Sequence, residues 1–116
     1  MELNRRYKLL RIFTGELDKL NGMCLYEAIV LAAKKQGLQG ATVLRGILSF
    51  GSGSRMHSTK LLDLSFDLPI VIEILDTEEN IEKFIEVVCP MVDQSGGGAL
   101  ITMETAEVVY YRGKKE

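Results

Sequence analysis

Apolar residues change their period several times along this 116-residue chain, and each change marks an element. Tyr7-Lys-Leu-Leu-Arg-Ile-Phe13 is rich in aromatic and branched residues and predicts a first strand. Gly15 to Gly22 reads as a polar connection. From Leu25 the period lengthens. Leu25, Ala28, Ile29, Ala32 and Ala33 share one face of a helix, and Lys34 and Lys35 suit its negative C-terminal end. Gly37 is placed to close that helix. Ala41-Thr-Val-Leu-Arg-Gly-Ile-Leu48 predicts a second strand. Gly46 interrupts it and points to a bulge or the close approach of another backbone.

Residues 49–67 show no clear hydrophobic period until Leu61. They predict either a long, mobile functional loop or a loop carrying a ragged hairpin extension. Pro69-Ile-Val-Ile-Glu-Ile-Leu75 predicts a third strand, with Pro69 at its first position, where a missing donor matters least. Asp76-Thr-Glu-Glu79 fits a helix-capping pattern, with Asp76 as N-cap and Glu79 three residues on. Ile81, Phe84, Ile85, Val88 and Val92 continue at helical spacing. Pro90 disfavours a helical Cys89, so the helix is expected to stop or kink there. A loop over Ser95-Gly-Gly-Gly98 precedes a fourth strand from Leu100 to Met103. A short C-terminal strand is expected from Glu107 to Tyr111, and residues 113–116 form a charged tail.

The resulting order is β-α-β-β-α-β. It predicts an α+β fold: a single-domain, ferredoxin-like sandwich whose antiparallel sheet carries two helices on one face. Strands this rich in Ile, Val and Leu imply that the second face is covered as well, which predicts a homo-oligomer.

Composition removes several classes of function. With 47% hydrophobic and 26% charged residues the chain is an ordinary globular one. Sixteen acidic residues against fourteen basic ones leave no broad electrostatic footprint for nucleic acid. No apolar run approaches the roughly 20 residues that span a bilayer. The start, Met1-Glu-Leu-Asn-Arg-Arg6, leads into no apolar secretory segment, so a cytoplasmic protein is expected. Cys24 and Cys89 lack metal-ligand spacing and are expected to be reduced, buried thiols; no metal site is predicted.

An ordered set of short words carries a further signal. Leu9-Leu-Arg-Ile12 is followed by Leu25-Tyr-Glu-Ala-Ile29 and Gly40-Ala-Thr-Val-Leu-Arg-Gly-Ile47. Phe50-Gly51, Arg55-Met-His57, Leu68-Pro-Ile-Val-Ile-Glu-Ile74, Asp76-Thr-Glu-Glu79 and Ala106-Glu-Val-Val109 complete the series. Together these words, over about residues 7–112, resemble the PII-like family. The resemblance is greatest to its uncharacterised branch of small bacterial and archaeal proteins. It implies a homotrimer that binds an adenine nucleotide between subunits and shows the 49–67 loop to a partner protein. A membrane transporter or channel is a common kind of partner in such proteins. It also implies that Thr42 lies where the adenine is held, with Ser49, Phe50 and Gly51 beside it. Gly96, Gly97 and Gly98 would wrap the phosphates and Arg112 would help neutralise them. Arg55 and His57 would belong to the partner-facing loop. The family's phosphate turn carries an acid between glycines and a lysine after them; here Gly97 and Ala99 stand there, and Tyr110 replaces one arginine. Fewer cations favour AMP or ADP over ATP, or a different anion altogether.

Individual residues also have plainer readings. Three consecutive glycines can converge their N–H groups on an anion, or simply form a flexible turn. Arg45 and Glu73 each interrupt an apolar strand and need partners; Glu73 is one candidate partner for Arg45. Tyr110 and Tyr111 either stack on a base or pack at a strand edge. On function, a non-enzymatic nucleotide sensor is the leading reading. A protein-interaction module without a small ligand is the alternative. An acylphosphatase-like hydrolase is a weaker one, because the Phe13-Thr-Gly-Glu16 turn has no arginine cradle and Asn4 and Asn21 are badly placed to position water.

Overall fold

The computed structural model describes residues 5–50, 56–58 and 68–114. Gly51 and Arg55, and most of the 49–67 stretch, lie outside the described residues, as do residues 115–116 of the tail. Strand β1 (Tyr7–Gly15) is followed by a small hairpin, β2 (Lys19–Leu20) and β3 (Met23–Cys24), then helix α1 (Leu25–Lys35). Strand β4 (Thr42–Arg45) leads into a second hairpin of β5 (Leu48–Phe50) and β6 (Met56–Ser58). Strand β7 (Pro69–Thr77), helix α2 (Glu78–Ser95) and strand β8 (Leu100–Ala106) complete the order.

Four strands form one antiparallel sheet in the order β4-β7-β1-β8. Alternation along the strands sets its two faces. Leu10 and Ile12 of β1 and Ile70, Ile72 and Ile74 of β7 are buried against both helices. Helix α1 contributes Leu25, Ile29 and Ala33, and α2 contributes Ile81, Phe84, Val88 and Val92. Each large core side chain contributes roughly 1.5–3 kcal/mol of burial free energy. The fold is therefore α+β, a ferredoxin-like sandwich with both helices on one face, as the period changes predict.

Several local expectations are corrected. The N-cap of α2 is Thr77, not Asp76: its hydroxyl accepts from the Asn80 N–H at 3.2 Å. Asp76 is instead buried at the end of β7, where it accepts from Thr77 N (2.7 Å), Asn80 Nδ2 (2.8 Å) and Gln39 N (2.9 Å). Helix α2 also does not end at Pro90 but runs through it to Ser95. Val88 and Val92 lie on the core either side of the proline, and their burial outweighs one missing helix hydrogen bond. The Gly15–Gly22 connection contains a strand pair, closed by Asn21 and Gly22, both at positive φ, the geometry of a tight hairpin turn.

The second strand is broken in two. Gly46 breaks it because the chain there lies directly on Pro69: a Cβ at position 46 would stand 2.5 Å from the Pro69 ring. The Gly46 N–H donates to the Pro69 carbonyl at 2.7 Å. Residues 107–111, expected as a strand, pair with no strand among the described residues. Cys24 and Cys89 are free thiols as expected, but half-buried rather than buried.

Candidate functional site

The uncovered face of the sheet carries the odd-numbered residues of β1 and β7. At its β4 edge a cleft of ≈ 400 Å³ opens. Leu9 and Leu75, paired across β1 and β7, form its apolar floor. Thr42 and Glu73, paired across β4 and β7, supply a hydroxyl and a carboxylate on one side. Gln39, Gly40 and Ala41 make one wall, and Tyr111 of the C-terminal segment makes another. A flat apolar floor, one aromatic ring and a few polar groups are the usual ingredients of a site for a heteroaromatic ligand. The carboxylate can only accept hydrogen bonds, whereas threonine can accept and donate. Together they can accept and donate hydrogen bonds along one side of the cleft.

The walls are held by specific contacts. The carboxylate of Asp76 fixes the Gln39 N–H and so the turn that leads into β4. Glu73 Oε2 accepts from Arg11 Nε at 2.9 Å, and Arg11 Nη1 also donates to Glu104. These two carboxylates, Glu73 first, raise the Arg11 pKa above its ordinary value. The three side chains carry a net charge of −1 beside the cleft. Arg45 does not pair with Glu73; its guanidinium meets Glu16 in the turn after β1. Its strand is an exposed edge, so the charge there needs no burial.

The expected site residues fall into separate groups. Thr42 lines the cleft, and Arg112 follows Tyr111 at its wall, exposed and without an ion pair among the described residues. Ser49 and Phe50 lie in β5, with Ser49 opposite His57 of β6. Gly96, Gly97 and Gly98 lie elsewhere. They connect α2 to β8, and β8 and β4 are opposite edges of the sheet. Three strand spacings, roughly 14 Å, separate those edges. Within one chain the glycine turn and the Thr42 cleft do not form one pocket.

The turn itself is tightly engaged. Gly96 adopts the left-handed conformation (φ 77°) that ends α2, and its N–H donates to Asp93 O at 3.2 Å. The Gly97 N–H donates to Ser95 Oγ at 3.3 Å. Asp18 lies against Gly97: a Cβ there would stand 2.5–2.6 Å from all three carboxylate atoms. Asp18 Oδ2 in turn accepts from Gly15 N at 3.0 Å.

The family resemblance names Thr42 and Arg112 as ligand residues, and neither it nor the residue patterns name Leu9, Gln39 or Leu75 in the cleft, or Asp18 beside the glycines. Leu9 and Leu75 do carry a signal. They are the odd-numbered apolar positions of strands whose even-numbered positions already fill the core. Among the described residues no three His, Cys, Asp or Glu side chains are grouped to hold a metal, and no helix is long and apolar enough to cross a membrane.

Comparison with known proteins agrees with this architecture. The structure of CPII from Thiomonas intermedia K12, a nitrogen regulatory PII-like protein bound to ADP, AMP and bicarbonate, superposes with a TM-score of 0.65. The match covers 92% of this chain and 97% of that one at 17% identity. The chain is therefore PII-like in fold. In sequence it is 41% identical to a UPF0166 protein of Aquifex aeolicus over 89% of this chain and 93% of the relative. It is 34% identical to a UPF0166 protein of Methanocaldococcus jannaschii over 77% and 82%. A family model described as DUF190, Uncharacterized ACR, matches residues 7–108, and the chain belongs to that family.

Proposed function

We propose that this protein is a PII-like signalling protein that binds an adenine nucleotide and presents residues 49–67 to a partner protein. The cleft at the β4 edge carries the proposal. Leu9 and Leu75 take the face of the base, Tyr111 stacks beside it, and Thr42 and Glu73 read its polar edge. Arg112, next to Tyr111, meets the phosphate. The nucleotides bound by CPII support the choice of ligand class. AMP and ADP are favoured over ATP, because Arg112 is a single cation and ATP carries more negative charge than either.

The working unit is a homotrimer in which the glycine turn of one copy approaches the cleft of another. That arrangement supplies what a single chain lacks, since its own turn and cleft stand at opposite sheet edges. The protein acts as a sensor, not an enzyme. Glu73, the acid nearest a bound base, is engaged by Arg11 and is not a free general base. A transporter or channel is one class of partner the reading admits. Ligand changes partner affinity only to the extent that it binds the two states of the 49–67 segment differently.

Calorimetric titration with AMP, ADP, ATP and cyclic AMP, with and without magnesium, tests the reading. Saturable binding near one site per chain is expected, weakened at least tenfold by Arg112→Ala, the scale of one lost charge-assisted contact. Absence of binding across the panel would leave the fold intact and remove the nucleotide mechanism.

A further inference from the structure

We infer that Asp18 is a specificity-determining residue that limits the ligand to a short phosphate chain. The inference rests on the nucleotide reading above and sharpens it. Three consecutive glycines before a strand present the backbone geometry that ordinarily gathers around an anion. Here an anion is already present, and it belongs to the protein. The Gly97 backbone lies so close to Asp18 that any side chain at 97 would overlap the carboxylate. Two of the turn's N–H groups are spent inside the chain, Gly96 on Asp93 O and Gly97 on Ser95 Oγ.

The Asp18 charge is also not neutralised locally. Its hydrogen-bond donor is the Gly15 backbone, and it forms no ion pair among the described residues. The adjacent Lys19 is engaged elsewhere, its Nζ lying 3.5 Å from Cys24 Sγ. A phosphoryl group arriving at the glycine turn would meet a carboxylate at close range that no cation among the chain's described residues pairs with. Two like charges at such a distance repel, and the penalty grows with each phosphate. A phosphate next to the ribose, held near Arg112, avoids that contact. A β- or γ-phosphate that reaches the turn does not. The class of ligand this admits is a nucleoside monophosphate, with the diphosphate weaker and the triphosphate weakest.

The test compares AMP, ADP and ATP binding in wild type, Asp18→Asn and Asp18→Ser, with and without magnesium. Both substitutions remove the charge and keep an acceptor for the Gly15 N–H. A thermal melt establishes that each variant is folded. Wild type is expected to bind AMP more tightly than ADP. The ratio of ADP to AMP dissociation constants should fall about tenfold in either variant, the scale of one like-charge contact near a protein surface. A ratio that does not move in a folded variant that still binds AMP overturns the role of Asp18 and leaves the nucleotide reading standing. ADP binding that requires magnesium and is lost in both variants also overturns it, since Asp18 would then be a metal ligand. If wild type binds none of the three nucleotides, the reading of the cleft falls and this inference falls with it.

Discussion

At Asp76 three donors converge on one buried carboxylate: the N–H groups of Gln39 and Thr77, and the amide of Asn80. Only 1% of the residue is exposed, so its loss opens a buried hole and leaves three part-buried donors without their acceptor. Asp76→Ala is expected to lower stability by about 3 kcal/mol, on the scale of a few unsatisfied buried groups. Urea unfolding measures this, and an unchanged midpoint would remove Asp76 from the framework. The sequence spacing identifies an acid before a helix but assigns it to the cap. It cannot show a partner in the α1–β4 turn, so the actual cap, Thr77, and the long-range role of Asp76 stay hidden. Gly46 is different. A glycine inside an apolar strand signals a close approach, and the approach is to Pro69. Gly46→Ala forces a methyl group into the proline ring, at a cost of about 1–3 kcal/mol. Tyr26 gives a pH-dependent check. Desolvation, then the nearby Cys24, Glu27 and Glu16, raise its pKa above the ordinary 10.0. A raised folded-state value contributes stability that is complete below pH 10 and is lost as pH rises through the folded pKa. Tyr26→Phe should therefore flatten the alkaline fall in stability without changing the neutral range. An identical alkaline profile in the variant would refute this.

Among the elements, α2 contains the sharpest conflict between local preference and packing. Pro90 is exposed on the helix, five residues before its last residue, Ser95. A proline there removes one backbone donor and crowds the preceding turn. Local rules accordingly predict an end or kink near Cys89. The apolar positions Val88 and Val92, read from the same sequence, predict that the helix goes on, and their burial decides the outcome. Pro90→Ala restores the hydrogen bond and relieves the crowding, while the unfolded chain gains some freedom. The net effect expected is stabilisation by about 1–2 kcal/mol, measured as a higher thermal midpoint. A lower midpoint would mean that the proline is fitted to its surroundings. Strands β1 and β7 were fully legible, because alternation and branched residues agree along each. The 107–111 segment was not. Its Val and Tyr residues have the composition of a strand, but a strand also needs a neighbour, and composition does not supply one. The cleft shares that difficulty. Thr42 is named by the family resemblance, whereas Leu9 and Gln39 become part of the cleft only once β1, β4 and β7 are side by side.

For the whole molecule the decisive feature is the sheet face opposite the helices. Leu44, Val71, Phe13 and Leu100 lie in register across β4, β7, β1 and β8, one residue from each strand. Leu44 is 49% exposed and Leu100 58% exposed in the single chain. An apolar row that crosses every strand of a sheet is costly to leave in water, and a second copy of the same face would bury it. Beside that row, Arg11 joins Glu73 to Glu104, so one line of the face is ionic and must find its place in any packing. The proposed trimer makes these facts one argument. If copies meet through this face, and if the nucleotide lies where the cleft of one copy meets the glycine turn of another, then assembly and ligand binding are linked. Anything that binds only the assembled form stabilises it by mass action. Leu44→Glu combined with Leu100→Glu places two carboxylates in the apolar row and leaves the helix-side core untouched. Sedimentation should show wild type as a trimer and the double variant as a monomer with native helical content. Its AMP affinity should fall at least tenfold, because half of each site is then missing. A monomeric variant that binds AMP as tightly as wild type would place the complete site within one chain. A wild type that sediments as a monomer would leave the exposed row without its proposed partner.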